Sequence, residues 1–206
     1  MLHDSHKAIT RALFLVVFAV LSLGSSAFAD VDVRGGAPMQ QKLIRGLYDT
    51  IIPQCWRTNA VVKVNILNDR DMNGYIREGS DDHFANTEAD DSIDGIYESG
   101  PPTITLRGSI TNLSLPYTFA HEYGHYFWQS QLTAQDRKAY SEIYNREKKA
   151  RHLVTEYAQD GVDEGFAEAF SFYVVSKVIL SKKDASSTKF LDDVLSRSGK
   201  VQLSRS

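Results

Sequence analysis

The segment of this sequence best suited to chemistry has two histidines four residues apart and a glutamate directly after the first: His121-Glu122-Tyr123-Gly124-His125. On a helix, residues four apart lie on one face, about 6 Å apart along the axis. Both imidazoles would therefore reach one tetrahedral zinc ion. Glu122, about 100° further around the helix, would border the site without binding the metal. It would then be free to take a proton from a water molecule activated there.

A third metal ligand must come from elsewhere in the chain. Metzincins carry a glycine three residues and a histidine six residues after the second histidine of the motif. This sequence has Trp128 and Gln131 at those positions, which excludes that class. The histidines outside the motif do not continue its pattern, so a carboxylate is the better candidate.

The best carboxylates for this role are Glu164 and Glu168, one helical turn apart in a strongly apolar segment. Such groups are costly to bury unless a cation or hydrogen bonds compensate them. We therefore expect Glu164 to bind the metal and Glu168 to accept the free N–H of a ligating histidine. The alternative, a solvated stripe on the helix, has little room among the neighbouring Phe166, Ala167 and Phe170.

Taken together, these residues resemble the gluzincin metallopeptidases, in particular the catalytic domain of anthrax lethal factor and the small secreted Pro-Pro endopeptidases. The resemblance is tight over residues 117–174 and looser back to about residue 38. It is carried by His121, Glu122 and His125, followed by Tyr157, Glu164 and the segment Phe166-Ala-Glu168-Ala-Phe170. It implies one zinc ion held by two histidines and Glu164, with Glu122 as the general base.

The resemblance also assigns roles that spacing alone does not. Tyr157, seven residues before the third ligand, would donate its phenol to the oxyanion of the tetrahedral intermediate; a purely structural tyrosine is the alternative. A strand over Thr103, Ile104 and Thr105, taken as the edge strand beside the active-site helix, would bind an extended peptide by strand addition. Preference for proline-rich sites belongs to one branch of the resembled family and stays open.

A second metal site is suggested by Asp69, Asp71 and Asn73, which match the start of an EF-hand calcium loop. The pattern fails at its twelfth position, where Ser80 stands in place of a bidentate glutamate. A strand rather than a helix also precedes it. A solvated turn with Asn73-Gly74 at its tip is the alternative.

The elements that would position these groups predict an α+β fold of the zincin type. It would have a small mixed sheet, an edge strand beside the active-site helix, and a helical C-terminal lobe. Strands are predicted over residues 60–67 and 103–107. An acidic surface loop is predicted over most of 68–98, in which Asp94-Gly95-Ile96-Tyr97 could begin a short strand. Helices are predicted over 38–52, 114–132, 133–152, 161–180 and 190–195, the third opening with a Thr133–Asp136 capping box.

The N-terminus has the features of a signal peptide. An apolar run from Ala12 to Leu21 follows Lys7 and Arg11, and Ala27-Phe28-Ala29 provides a cleavage site. The run is too short for a membrane-spanning helix. We expect residues 1–29 to be removed and residues 30–206 to form one secreted domain, extracellular or, in a cell with an outer membrane, periplasmic.

The composition of the chain limits the classes of partner that it is expected to bind. The formal net charge of −3 argues against nucleic acid, and the single cysteine, Cys55, cannot form an internal disulfide. The sequence thus predicts a monomeric, secreted zinc endopeptidase that acts on extended peptides and leaves the membrane after signal cleavage. Two alternatives remain: a zincin-like binding module without turnover, and a secreted toxin-like effector.

Overall fold

The computed structural model describes residues 31–50, 52, 62–79 and 93–203. It contains four strands, β1 (Val31–Gly35), β2 (Val62–Leu67), β3 (Gly95–Ser99) and β4 (Pro102–Arg107). Its helices are α1 (Pro38–Thr50), α2 (Asp69–Gly79), α3 (Leu115–Ser130), α4 (Ala134–Ala150), α5 (Val162–Lys183) and α6 (Ala185–Leu203), and a 3-10 turn spans Tyr157–Gln159. The predicted α+β class, with a small mixed sheet and a helical C-terminal part, is confirmed. The predicted signal peptide and Cys55 lie outside the described residues.

The sheet is mixed, with strand order β1-β2-β4-β3. β1 and β2 are parallel, β2 and β4 are parallel, and β3 runs antiparallel to β4. β2 and β4 direct alternate apolar side chains to one face, where α1 and α3 pack against the sheet; the buried ones are Val62, Val64, Ile66, Ile104 and Leu106. The core therefore lies between this face and the helices.

The largest contact between helices joins α3 and α5. Large aromatic side chains fill it: Phe127 and Phe166 stack with ring centroids 6.2 Å apart, and Phe170 lies 5.3 Å from Phe127. The helices approach closely at one point, where a Cβ built on Gly124 would lie 2.9 Å from Ala167 Cα. This contact holds the start of α5 against the middle of α3, where the histidine motif lies.

The prediction that Thr103, Ile104 and Thr105 form an edge strand is wrong. They belong to β4, which pairs with β2 on one side and β3 on the other. The edge strand beside α3 is β3. It pairs with β4 in an antiparallel hairpin and forms the last strand of the sheet. Pro102 is tolerated in this internal strand because it is the first residue of β4. It also lies opposite Ser99, at a position of the antiparallel ladder where β3 needs no hydrogen bond from a backbone N–H.

The predicted acidic loop and the turn at Asn73-Gly74 are wrong for residues 69–79, whereas the short strand expected to begin at Asp94 is confirmed as β3. Residues 69–79 form α2, which is capped by Asn68: its Oδ1 accepts the N–H of Asp71 at 2.9 Å. Met72 and Ile76, four residues apart, are fully buried and fix the helix to the fold. Asp69, Asp71 and Asn73 therefore project from a helix and do not line a calcium loop. Residues 80–92 lie outside the described part of the chain.

The other helices agree in place with their predictions and differ in length. The Thr133–Asp136 capping box is present at the start of α4. The predicted helix over 190–195 is the middle of a longer helix, α6, because Asp184 caps it through the N–H of Ser187 at 2.8 Å. β1 was not predicted. None of the described helices combines the length and apolar composition needed to cross a bilayer.

Candidate metal centre

The two histidines of the motif lie on one face of α3, as their spacing requires. Their Nε2 atoms are 3.1 Å apart, and the two rings meet nearly edge to face with centroids 4.9 Å apart. His121 is buried, whereas His125 is partly exposed. The pair therefore presents two nitrogen atoms to a single point at the surface of the helix.

Glu164, in the first turn of α5, supplies a third atom at the same point. Its Oε2 lies 3.2 Å from His121 Nε2 and 3.4 Å from His125 Nε2. Two ligands of a tetrahedral zinc ion, each bound at its usual distance, are separated by about 3.3 Å. The triangle formed by these three atoms therefore has the size that a zinc ion would require. Among the described residues, they are the one group of histidine and acidic side chains close enough to share a metal ion.

The charges at this point call for a cation. Glu164 Oε2 is buried and accepts no hydrogen bond from any described residue, although the two nitrogen atoms lie close to it. Burial disfavours a charged His121, but the nearby carboxylates of Glu164 and Glu168 outweigh it and raise the pKa of His121 to about 10. Burial likewise opposes a charged Glu164, yet the two histidines lower its pKa to about 2. A proton or a metal ion must stabilise this cluster, and the ligand types and distances fit zinc.

Glu168, one turn after Glu164, orients His121. Its Oε1 accepts a hydrogen bond from Nδ1 of His121 at 2.8 Å. This bond places the proton of a neutral ring on Nδ1 and leaves the Nε2 lone pair facing the candidate metal position. The helical spacing of the two glutamates thus provides one carboxylate for the metal and one for the histidine.

Glu122 borders the cluster from the same helix. It is 6% exposed, and burial raises its pKa; the imidazoles of His121 and His125 offset part of this rise. A carboxylate whose pKa is raised toward neutrality is well suited to accept and return a proton. The side chain lies against Gly95 at the start of β3, where an added Cβ would be only 2.6 Å from Glu122 Oε1.

Tyr157 lies at the other side of the cluster, in the 3-10 turn before α5. Its ring centroid is 5.7 Å from that of His121, and 53% of the residue is exposed. Partial burial of the phenol, followed by the negative charges of Glu164 and Glu122, raises its pKa. Tyr157 is therefore protonated at neutral pH and available as a hydrogen-bond donor.

Not every residue proposed from the sequence belongs to this cluster. Thr103, Ile104 and Thr105 lie in an internal strand, and the edge next to Glu122 belongs to Gly95. The two aspartates of α2 have other partners: Asp69 accepts a hydrogen bond from Ser109 at 2.6 Å, and Asp71 accepts one from Asn68 at 2.8 Å.

Three residues near the cluster were missed by sequence reasoning. Gly95 leaves room for Glu122, Gly124 permits the close helix contact, and Thr155 hydrogen-bonds Glu168 at 2.6 Å. Gly124 carried a signal, since a glycine inside a helix costs about 1 kcal/mol and needs a packing reason. Gly95 and Thr155 act through partners distant in the sequence, which no local pattern reveals.

No known family model matches this chain, and no curated protein is significantly similar to it.

Proposed function

We propose that the protein is a secreted zinc-dependent endopeptidase of the gluzincin type that cleaves peptides bound in an extended conformation. The observation that carries the proposal is the convergence of His121 Nε2, His125 Nε2 and Glu164 Oε2 within 3.4 Å of one another, beside Glu122. A structural zinc site fits less well, because such sites favour four protein ligands that commonly include cysteine.

Each group of the site would have a distinct role in peptide hydrolysis. Zinc, when bound, would supply Lewis acidity that polarises the scissile carbonyl and acidifies a water molecule. Glu122 accepts the proton of the attacking water and passes it to the departing amine, a role that its raised pKa favours. Tyr157 donates its hydroxyl to the developing oxyanion, which its own raised pKa keeps possible at neutral pH.

The open edge of β3 supports binding of an extended peptide. The backbone N–H of Arg107 donates a hydrogen bond to the carbonyl of Asp94 at 2.9 Å, so the main-chain groups of Asp94 point toward β4. Because this direction alternates along the strand, the main-chain groups of Ile96 and Glu98 also point toward β4. Those of Gly95, Tyr97 and Ser99 point to the other side. Among the described strands, none pairs with that side. A substrate strand added there would pass the Glu122 carboxylate at Gly95.

Metal content and peptide cleavage test this proposal together. Purified protein is expected to hold about one zinc ion per chain and to cleave a mixed peptide library. Glu122→Gln should keep its zinc and lose cleavage, because the amide cannot accept the proton; Glu142→Gln, an exposed glutamate on α4, is the matched control. Wild-type protein without zinc would refute the site. Zinc binding without cleavage by any variant would instead indicate a binding module, and cleavage by Glu122→Gln would exclude Glu122 as the base.

A further inference from the structure

One hydroxyl links the two sides of the candidate active site. Thr155 Oγ1 donates a hydrogen bond to Glu168 Oε2 at 2.6 Å and accepts one from the N–H of Ala158 at 3.1 Å. Thr155 is partly buried and lies in the segment between α4 and α5. Through Glu168 the first bond connects to His121, and through Ala158 the second connects to Tyr157; the proposed mechanism uses both residues.

The first bond leads to the metal ligand His121. Glu168 has two carboxylate oxygens: Oε1 accepts from His121 Nδ1, and Oε2 accepts from Thr155. With both oxygens bonded, the carboxylate cannot rotate away from the imidazole without losing a charge-assisted hydrogen bond. Thr155 thereby holds the acceptor that fixes the tautomer and the ring orientation of His121.

The second bond leads to Tyr157. Ala158 follows Tyr157 in the 3-10 turn, and its side chain is completely buried. The Thr155 hydroxyl bonds the Ala158 N–H, which orients the start of the turn much as a side-chain cap orients the start of a helix. The position of the Tyr157 phenol over the cluster depends on that turn.

We propose that Thr155 is a positioning residue that couples the orientation of the metal ligand His121 to the placement of the oxyanion donor Tyr157. This inference rests on the proposed peptidase function for its catalytic half. Its metal-binding half stands on the Thr155–Glu168–His121 hydrogen bonds alone. Without the hydroxyl, Glu168 loses one partner and the Tyr157 turn loses its cap at the same time.

The chain contains a matched threonine for comparison. Thr133 Oγ1 donates to the Asp136 carboxylate at 2.7 Å and accepts from the Asp136 N–H at 3.1 Å. It makes the same two kinds of bond as Thr155, but at the start of α4, where it serves only to cap the helix. A purely structural role for Thr155 predicts that both threonines behave alike when their hydroxyls are removed.

The test compares Thr155→Val, Thr155→Ala and Thr155→Ser with Thr133→Val in the full protein. For each variant, zinc affinity is measured by competition with a chelator, amide exchange at Ala158 by NMR, thermal stability by circular dichroism, and kcat and KM on a cleaved peptide. In the two Thr155 variants without a hydroxyl, zinc affinity should fall about 10–100-fold. At saturating zinc, kcat should fall while KM changes less, and the Ala158 amide proton should exchange faster. Serine should restore all three, and Thr133→Val should change stability alone.

Each outcome decides the proposal. Zinc affinity and Ala158 exchange unchanged in both hydroxyl-free variants would overturn it, as would failure of serine to restore them. Thr155→Ala keeps the test open if the valine variant does not fold, because it removes the hydroxyl without adding a methyl group. Failure of the proposed function is separate: it would appear as a wild-type protein that binds zinc but cleaves no peptide, while the affinity and exchange differences persist.

Discussion

Two acid-bearing helices of this protein differ sharply in what their carboxylates do. In α2, Asp69 and Asp71 are two residues apart and point to different sides of the helix, where Ser109 and Asn68 donate hydrogen bonds to them. In α5, Glu164 and Glu168 are four apart and point to the same side, toward the histidines of α3. Residue type is similar in the two helices, but the arrangement in space is not.

The difference shows which property marks a metal position. Asp69 and Asp71 of α2 each already have a protein donor, so neither needs a cation. Glu164 Oε2 has no donor among the described residues and lies within 3.4 Å of two imidazole nitrogens. A buried acceptor without a donor, facing other electron-rich atoms, therefore indicates a cation site more strongly than a run of acidic residues does.

Loss of a proposed zinc ligand should have the largest effect, and it tests most directly whether the carboxylates of α5 differ from those of α2 in binding a metal. Glu164→Gln removes the negative charge while keeping the shape, so zinc affinity should fall by more than the roughly 10–100-fold typical of residues that only support a ligand. Zinc should raise the melting temperature of the wild type and leave that of the variant unchanged, since a ligand stabilises only a fold that binds it. Asp69→Asn in α2 is the control, and an equal loss of zinc there would contradict the distinction.

Removing the Tyr157 hydroxyl should have the next largest effect. Tyr157→Phe keeps the ring beside His121 and deletes the proposed oxyanion donor, so kcat should fall about 10²–10³-fold with zinc affinity little changed. Steady-state kinetics and chelator competition on the same preparation measure the two quantities. An equal fall in zinc affinity would make Tyr157 a structural part of the site.

Two glycine-to-alanine substitutions test how the packing of α3 against α5 and the exposure of α2 affect stability and zinc binding. In Gly124→Ala the new Cβ would meet Ala167 Cα at 2.9 Å, so α3 and α5 must separate, at a cost of about 1–3 kcal/mol. In Gly74→Ala the new Cβ meets nothing within 4 Å on α2, and the better helix propensity should stabilise the protein by up to about 1 kcal/mol. Denaturant unfolding should therefore give opposite signs, and zinc affinity should fall only for Gly124→Ala.

Calcium should have the smallest effect, because α2 has no loop to enclose it. Millimolar calcium is expected to leave the melting temperature of the wild type and of Asp71→Asn equally unchanged. Calorimetric titration with calcium gives a second measurement. Saturable binding that Asp71→Asn abolishes would restore the calcium hypothesis.

The parts of the fold that the sequence predicts are those determined by local spacing. The three helices from residue 115 to 183 follow from apolar periodicity, Pro116 and the Thr133–Asp136 box, and Glu164 and Glu168 follow from their position on an apolar helix. The edge strand could not be assigned, because strand order depends on which distant segments pair. α2 was mistaken for a loop because Met72 and Ile76 are few among many polar residues, and their burial depends on the sheet beneath them.

The open edge of β3 has a consequence for the behaviour of the protein in concentrated solution. An unpaired strand edge that accepts a peptide will also accept the edge of a second molecule, which is a route to aggregation. Two features of β3 limit this: the strand is five residues long, and it carries the exposed carboxylate of Glu98. Two such edges brought together would also bring their carboxylates together. A short, negatively charged edge thus favours transient pairing with a peptide over lasting pairing with itself.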